Sequence, residues 1–141
     1  MRKLLVCCLS WVLCSAAFAD EPKPGHPAVK FVLNEKGVWS LCSIMANMMM
    51  MPDEVDWSPV RKCLDTEPGT DSVTFEQAKA SLAGNTTGLA RLDEFVATLA
   101  ACEGRLRDPT GMSRLTMKTA ISDCKSKLEY AATMVRLAVE H

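Results

Sequence analysis

A run of methionines is the most unusual group of side chains in this sequence. Five of the seven residues from 45 to 51 are methionine, and Met45, Met48 and Met49 have the spacing of one helical face. Thioether sulfur is a soft ligand that suits monovalent copper, so this face would serve a copper or small-ligand carrier. Flexible methionine side chains also fill irregular cores and form adaptable binding surfaces. Because the run contains no histidine, we favour packing over metal binding and expect no cofactor.

The residues that follow the methionine run are acidic. Seven acidic side chains and only two basic ones occur between residues 53 and 76. A charge run of this kind is often a solvated loop, but it also steers basic protein surfaces into contact. In the second role, the charges attract a basic cleft and an aromatic residue packs against it. The predicted partner-binding residues are Asp53, Glu54, Asp56, Trp57, Glu67 and Asp71.

Four cysteines follow residue 20: Cys42, Cys63, Cys102 and Cys124. An even number of cysteines in an oxidising compartment predicts two disulfides. None of the four forms a Cys-x-x-Cys pair, and the chain has only two histidines, which argues against a redox-active pair or structural zinc. Four cysteines allow three pairings. We favour Cys42 with Cys63 and Cys102 with Cys124, since each bond then joins neighbouring helices, but the sequence leaves the other pairings open.

Groups that could act as catalysts are scarce. His26 lies in a breaker-rich segment and His141 is the last residue, so neither is placed as a rigid general base. The sequence contains no nucleophile elbow, phosphate-binding loop or His-Glu-x-x-His motif. The carboxylate pairs near residues 53 and 93 are typical of helix ends and solvated faces. We therefore predict a protein that is not an enzyme.

The amino terminus has the features of a cleavable signal peptide over residues 1–19. A basic start at Arg2 and Lys3 precedes an apolar stretch, and small residues stand before the expected cleavage site. A flexible arm is expected over residues 20–27 and one helical domain over 28–141, in the periplasm or secreted. Loss of the peptide leaves 122 residues with 17 acidic and 14 basic side chains. No later stretch predicts a membrane span, and no basic run predicts nucleic-acid binding.

The spacing of apolar residues predicts helices and no strands. Thr74 and Gln77 form a capping box at one helix start, Gly37 marks a possible interruption of another helix, and the apolar residues of the last helix alternate by four and three. Helices are predicted over residues 28 to 51, 59 to 64, 74 to 83, 89 to 106 and 113 to 141. The fold class that follows is an all-α, disulfide-stapled bundle of four to five helices.

Several residues between positions 41 and 102 carry a family resemblance. They are Leu41-Cys42, Cys63, Pro68-Gly69, Val73-Thr74, Gln77, Leu82 and Cys102. In this pattern the chain resembles the periplasmic immunity proteins that protect bacteria from type VI secreted peptidoglycan amidases. The family's glycine-tyrosine element after its second cysteine is absent here, and the helix that contains Cys124 has no counterpart. The resemblance implies a helical, disulfide-bonded, often dimeric protein that plugs a toxin's active-site groove with a loop.

One functional hypothesis leads and two alternatives remain. We expect a non-enzymatic periplasmic interaction protein, an immunity or inhibitor protein that binds a secreted cell-wall hydrolase with a basic cleft, with a homodimer as a possible assembly. Only the acidic segments of this sequence offer positions for that role. The alternatives are a periplasmic copper or small-ligand carrier that uses the methionine run, and a periplasmic chaperone that uses exposed methionines.

Overall fold

Five α-helices account for most of the described chain. The computed structural model describes residues 25–49, 56–66 and 69–141. The helices are α1 Pro27–Met49, α2 Ser58–Leu64, α3 Phe75–Ala80, α4 Thr86–Arg107 and α5 Arg114–Glu140. No strand occurs within these residues, which confirms the all-α class. The predicted signal peptide over residues 1–19 and most of the predicted arm over 20–27 lie outside the described residues.

Side-chain caps set the starts of α3 and α4. In the capping box of α3, the Thr74 hydroxyl accepts a hydrogen bond from the Gln77 amide at 3.2 Å, and the Gln77 side chain accepts one from the Thr74 amide at 2.9 Å. The sequence prediction of this box is confirmed. For α4, the Asn85 side chain accepts a hydrogen bond from the Gly88 amide at 2.7 Å. This cap starts α4 at Thr86, three residues before the predicted start, because asparagine satisfies an amide that the helix leaves free.

Helix α1 lies at the centre of the bundle and contacts each of the other four helices. It continues through Gly37 without the interruption that we considered possible. A glycine costs a helix interior roughly 1 kcal/mol, which the burial of a long apolar helix offsets. The buried side of α1 includes Phe31, whose ring lies 5.8 Å from that of Phe75 and 6.5 Å from that of Phe95. These contacts join α1 to α3 and α4.

The two disulfides have the pairing that we favoured. Cys42 and Cys63 connect α1 to α2 with a Cα–Cα distance of 5.6 Å, and Cys102 and Cys124 connect α4 to α5 with 5.7 Å. Helices α4 and α5 form an antiparallel pair, since the Asn85 side chain bonds to the Ala138 carbonyl at one end and Arg105 pairs with Asp123 nearer the other. Within the part of the chain that is described, no helix combines the length and apolar character of a bilayer span.

Candidate functional site

The structure describes three of the six predicted partner-binding residues: Asp56, Trp57 and Asp71. Asp53, Glu54 and Glu67 lie outside the described residues. Asp56 is exposed, and its carboxylate accepts hydrogen bonds from the amide of Ser58 at 2.9 Å and from its hydroxyl at 2.7 Å. These bonds lower the pKa of Asp56. They also hold the first turn of α2, so this residue has a local structural role that the charge pattern did not reveal.

Asp71 is exposed beside a shallow depression of about 460 Å³. The depression is lined by Pro27 at the start of α1 and by residues of the segment before α3, among them Ser72 and Gln77. The Gln77 side chain is already engaged in the capping box. Asp71 therefore contributes its negative charge to the surface without a fixed partner group in the depression.

Trp57 is a core residue, which disagrees with the prediction that it packs against a partner. Its side chain is only 8 % exposed. The indole N–H donates a hydrogen bond to the carbonyl of Leu106. Leu106 lies in the last turn of α4, where no N–H group of the same helix is available to bond the carbonyl groups. An aromatic residue beside acidic ones suggested a contact surface, but the same residue satisfies a helix end and fills the space between α2 and α4.

Three carboxylates and one guanidinium lie together between α1, α2 and α4. The carboxylates belong to Glu35, Asp65 and Glu103, and Arg107 lies 2.7 Å from the Asp65 carboxylate and 3.9 Å from that of Glu103. We call these four residues the acidic cluster. Only Asp65 belongs to the acidic segment of the sequence. With all four side chains ionised, the cluster carries a formal charge of −2.

The surroundings of Glu103 disfavour its charged form. Burial raises the pKa of Glu103 first, Arg107 opposes this effect, and the carboxylates of Glu35 and Asp65 raise the pKa further. Burial also raises the pKa of Glu35, against a hydrogen bond from Asn34. A raised pKa means that the ionised carboxylate lacks solvation or positive charge. Glu35 and Glu103 are thus half-buried carboxylates whose charged forms are disfavoured first by burial.

Sequence reasoning missed Glu35 and Glu103 because they lie far apart in the chain and neither belongs to an acidic run. Helical spacing assigns both to helices but does not say that α1 and α4 bring them together. In the sequence, only their position next to predicted core residues indicates such a site, because an acidic residue beside the buried face of a helix is partly removed from water.

The methionine run does not present one exposed face. Met48 is 71 % exposed, whereas Met45 and Met49 are partly buried and pack against the core. Met50 and Met51 lie outside the described residues. The three described thioethers therefore divide between packing and solvent, and the positions of Met45 and Met49 agree with the core-packing interpretation.

The groove between α4 and α5 brings together charged groups that are already paired. Its volume is about 350 Å³. Its charged side chains form ion pairs: Arg91 with Glu94, and Asp123 with both Arg105 and Lys127. The hydrogen bond from Lys127 lowers the pKa of Asp123. Such pairs stabilise the surface of the α4–α5 packing, and they leave the groove without an activated acid, base or nucleophile among the described residues.

Comparison with protein-family models, with curated proteins and with solved structures finds no match for this chain. The functional interpretation therefore depends on the geometry of its own residues and on the resemblance noted in the sequence.

Proposed function

We propose that this protein is a non-enzymatic, extracytoplasmic interaction protein that binds a basic segment of a partner protein at the acidic cluster. The observation that carries this proposal is the excess of negative charge around Glu103: Arg107 pairs with two carboxylates, those of Asp65 and Glu103, and the charge of Glu35 also acts on Glu103. A lysine or arginine from a partner would supply the missing positive charge. The attraction between this cation and the acidic cluster would increase with each carboxylate that the cation approaches, because partly buried charges interact more strongly than fully solvated ones.

Exposed acidic residues of the segment that contains Asp65 favour the same kind of partner. The described acids between residues 56 and 76 are all exposed: Asp56, Asp65, Asp71 and Glu76. They would attract a basic cleft over roughly the Debye screening length, which is about 8 Å at physiological ionic strength. One disulfide joins α1 to α2 and the other joins α4 to α5, so each of the two helix pairs that border the acidic cluster is held covalently. Disulfides of this kind are typical of extracytoplasmic proteins.

The class of partner comes from the family resemblance. We propose a secreted cell-wall hydrolase, of the peptidoglycan amidase type, that is inhibited when a basic cleft near its active site is covered. In this role the chain supplies charge and shape and performs no chemical step.

Inhibition and binding can be measured with the disulfide-intact protein and a panel of type VI secreted peptidoglycan amidases. We expect inhibition of peptidoglycan cleavage by one member. Association should slow at least several-fold between about 50 and 500 mM salt, because steering by exposed charges is screened. Glu103→Gln and Asp65→Asn should weaken binding, since each removes a charge from the acidic cluster.

Asp93→Asn is the matched control, because it removes the same charge from an exposed position elsewhere on α4. Binding that weakens equally in the control and in the cluster variants would assign the effect to net charge and contradict the proposed site. Absence of binding and inhibition for every amidase at micromolar concentrations would contradict the proposed partner class.

A further inference from the structure

Helix α5 exposes basic side chains that form no ion pair within the described residues. Lys118 and Lys125 are seven residues apart, so they lie on one side of the helix, about 10 Å apart along its axis. Arg114, which is also exposed, lies one turn before Lys118 on that side. Residues 105 to 127 carry six basic and two acidic side chains. The acid of this stretch that lies in α5, Asp123, pairs with Arg105 and Lys127 on the side of α4.

Large apolar side chains are exposed beside these cations. Leu115, between Arg114 and Lys118 in the sequence, is 76 % exposed. On α1, Leu33 and Ile44 are 53 and 55 % exposed. Residues 37 to 49 of α1 include no acidic or basic side chain, so no long charged side chain covers this part of the helix. Exposed apolar side chains that stand together, rather than singly, indicate a binding surface.

The packing of α1 on α5 brings the two groups of side chains to the same level. The helices are antiparallel, since Lys36 lies 2.6 Å from Glu129, while Trp39, further along α1, lines a crevice together with Ile121, earlier in α5. Ile44 is eight residues beyond Lys36, and Ile121 is eight residues before Glu129. Because both helices rise equally per residue, Ile44 lies level with Ile121, between the two lysines of α5.

The same ion pair shows that both groups border one open face. At about 100° per residue, Lys118 and Lys125 lie within about 40° of Glu129 around α5, and Ile44 lies about 80° from Lys36 on the solvent side of α1. The Glu129 side chain is itself 63 % exposed, so the junction of the two helices is open to solvent there. We call the following six residues the α1–α5 face: Leu33, Ile44, Arg114, Leu115, Lys118 and Lys125.

We propose that the α1–α5 face binds the surface of an anionic lipid bilayer. The basic side chains contact the phosphate groups of the lipids, and Ile44 and Leu115 enter the boundary between headgroups and acyl chains. Lysine is a flexible point charge, which suits headgroups that offer no fixed geometry. The buried side of α5 stays in the core, so the helix lies on the bilayer through this face alone and the attachment is reversible.

The mixture of cations and apolar side chains decides the kind of partner. A nucleic acid would neutralise Lys118 and Lys125, but its phosphate backbone offers no apolar region for Ile44 and Leu115. An apolar protein surface would receive Ile44 and Leu115 and leave the cations without a counter-charge. A bilayer that contains anionic lipid supplies both environments. This inference does not depend on the proposed function, because it uses none of the residues of the acidic cluster.

Co-sedimentation of the disulfide-intact protein with vesicles tests the proposal. Each basic residue close to an anionic bilayer increases partitioning roughly fivefold, so three of them predict a preference on the order of 100-fold for phosphatidylcholine–phosphatidylglycerol vesicles over phosphatidylcholine alone. We expect this preference at about 50 mM salt and its loss at about 500 mM, because salt screens exposed charges. Replacing both Lys118 and Lys125 by glutamine should reduce partitioning at least tenfold.

The matched control replaces Lys62 and Lys79 by glutamine, since these exposed lysines of α2 and α3 carry the same charge away from the face. For the apolar contribution, Leu115→Ser should reduce partitioning several-fold, whereas Leu137→Ser, at an exposed position near the end of α5, should not. Equal partitioning into both kinds of vesicle, or equal losses in the two lysine double variants, would overturn the proposal. Tighter binding of a short DNA duplex than of anionic vesicles would also overturn it, and would assign the cations to a nucleic acid.

Discussion

Replacing Trp57 by alanine distinguishes a core residue from a partner anchor. The side chain is 8 % exposed and bonds to the carbonyl of Leu106. We expect Trp57→Ala to destabilise the fold itself. If Trp57 were an anchor on the surface, the same change would leave the free energy of unfolding unaltered and would shorten the lifetime of a complex.

The magnitude follows from what the side chain buries. An indole ring removes roughly 200 Å² from water, which at about 25 cal/mol per Å² contributes on the order of 5 kcal/mol. Relaxation around the cavity reduces the measured cost of Trp→Ala to about 3–5 kcal/mol. Trp57→Phe retains most of the ring and removes the N–H donor, so we expect a loss of about 1–2 kcal/mol. Leu115→Ala, at a 76 % exposed position, should change the stability by less than about 0.5 kcal/mol.

Urea unfolding followed by far-ultraviolet circular dichroism, with both disulfides intact, measures these differences. Circular dichroism is preferable to fluorescence because two of the variants lack one of the tryptophans. A loss of ~4 kcal/mol is a large part of the 5–15 kcal/mol that stabilises typical domains, so Trp57→Ala should unfold at a much lower urea concentration. The reasoning is refuted if Trp57→Ala and Leu115→Ala have the same unfolding midpoint.

Two further predictions concern the disulfides and the acidic cluster. The protein from residue 20 onward should contain no thiol that reacts when it is unfolded without reductant, and two reactive thiols would contradict the pairing of all four cysteines. Replacing Cys102 and Cys124 by alanine should lower the free energy of unfolding by about 3 kcal/mol, for a loop of 22 residues. Because the pKa of Glu103 is raised in the fold, its ionised form costs stability, and this cost appears as the pH rises through the folded pKa. The free energy of unfolding of Glu103→Gln, measured in urea and relative to the parent, should therefore be higher at pH 7 than at pH 4. Asp123→Asn should show the opposite dependence, because the fold lowers the pKa of Asp123.

Local sequence signals predicted the helices well. The Thr74–Gln77 box and the seam of the last helix each depend on residues within a few positions of one another. Such signals act before tertiary structure forms, so they can be recognised without it. The pairing of Cys42 with Cys63 followed from the same local reasoning, since each cysteine lies on one of two successive helices.

The functional surfaces were less accessible to sequence reasoning, because they depend on which side of a helix is covered. Helix α1 is apolar around most of its circumference, so periodicity did not separate buried Val32 and Trp39 from exposed Leu33 and Leu41. Likewise, nothing local distinguishes Trp57 in the core from a tryptophan on a binding surface. The contact of α2 with α4 decides that question, and it joins residues that are 49 positions apart.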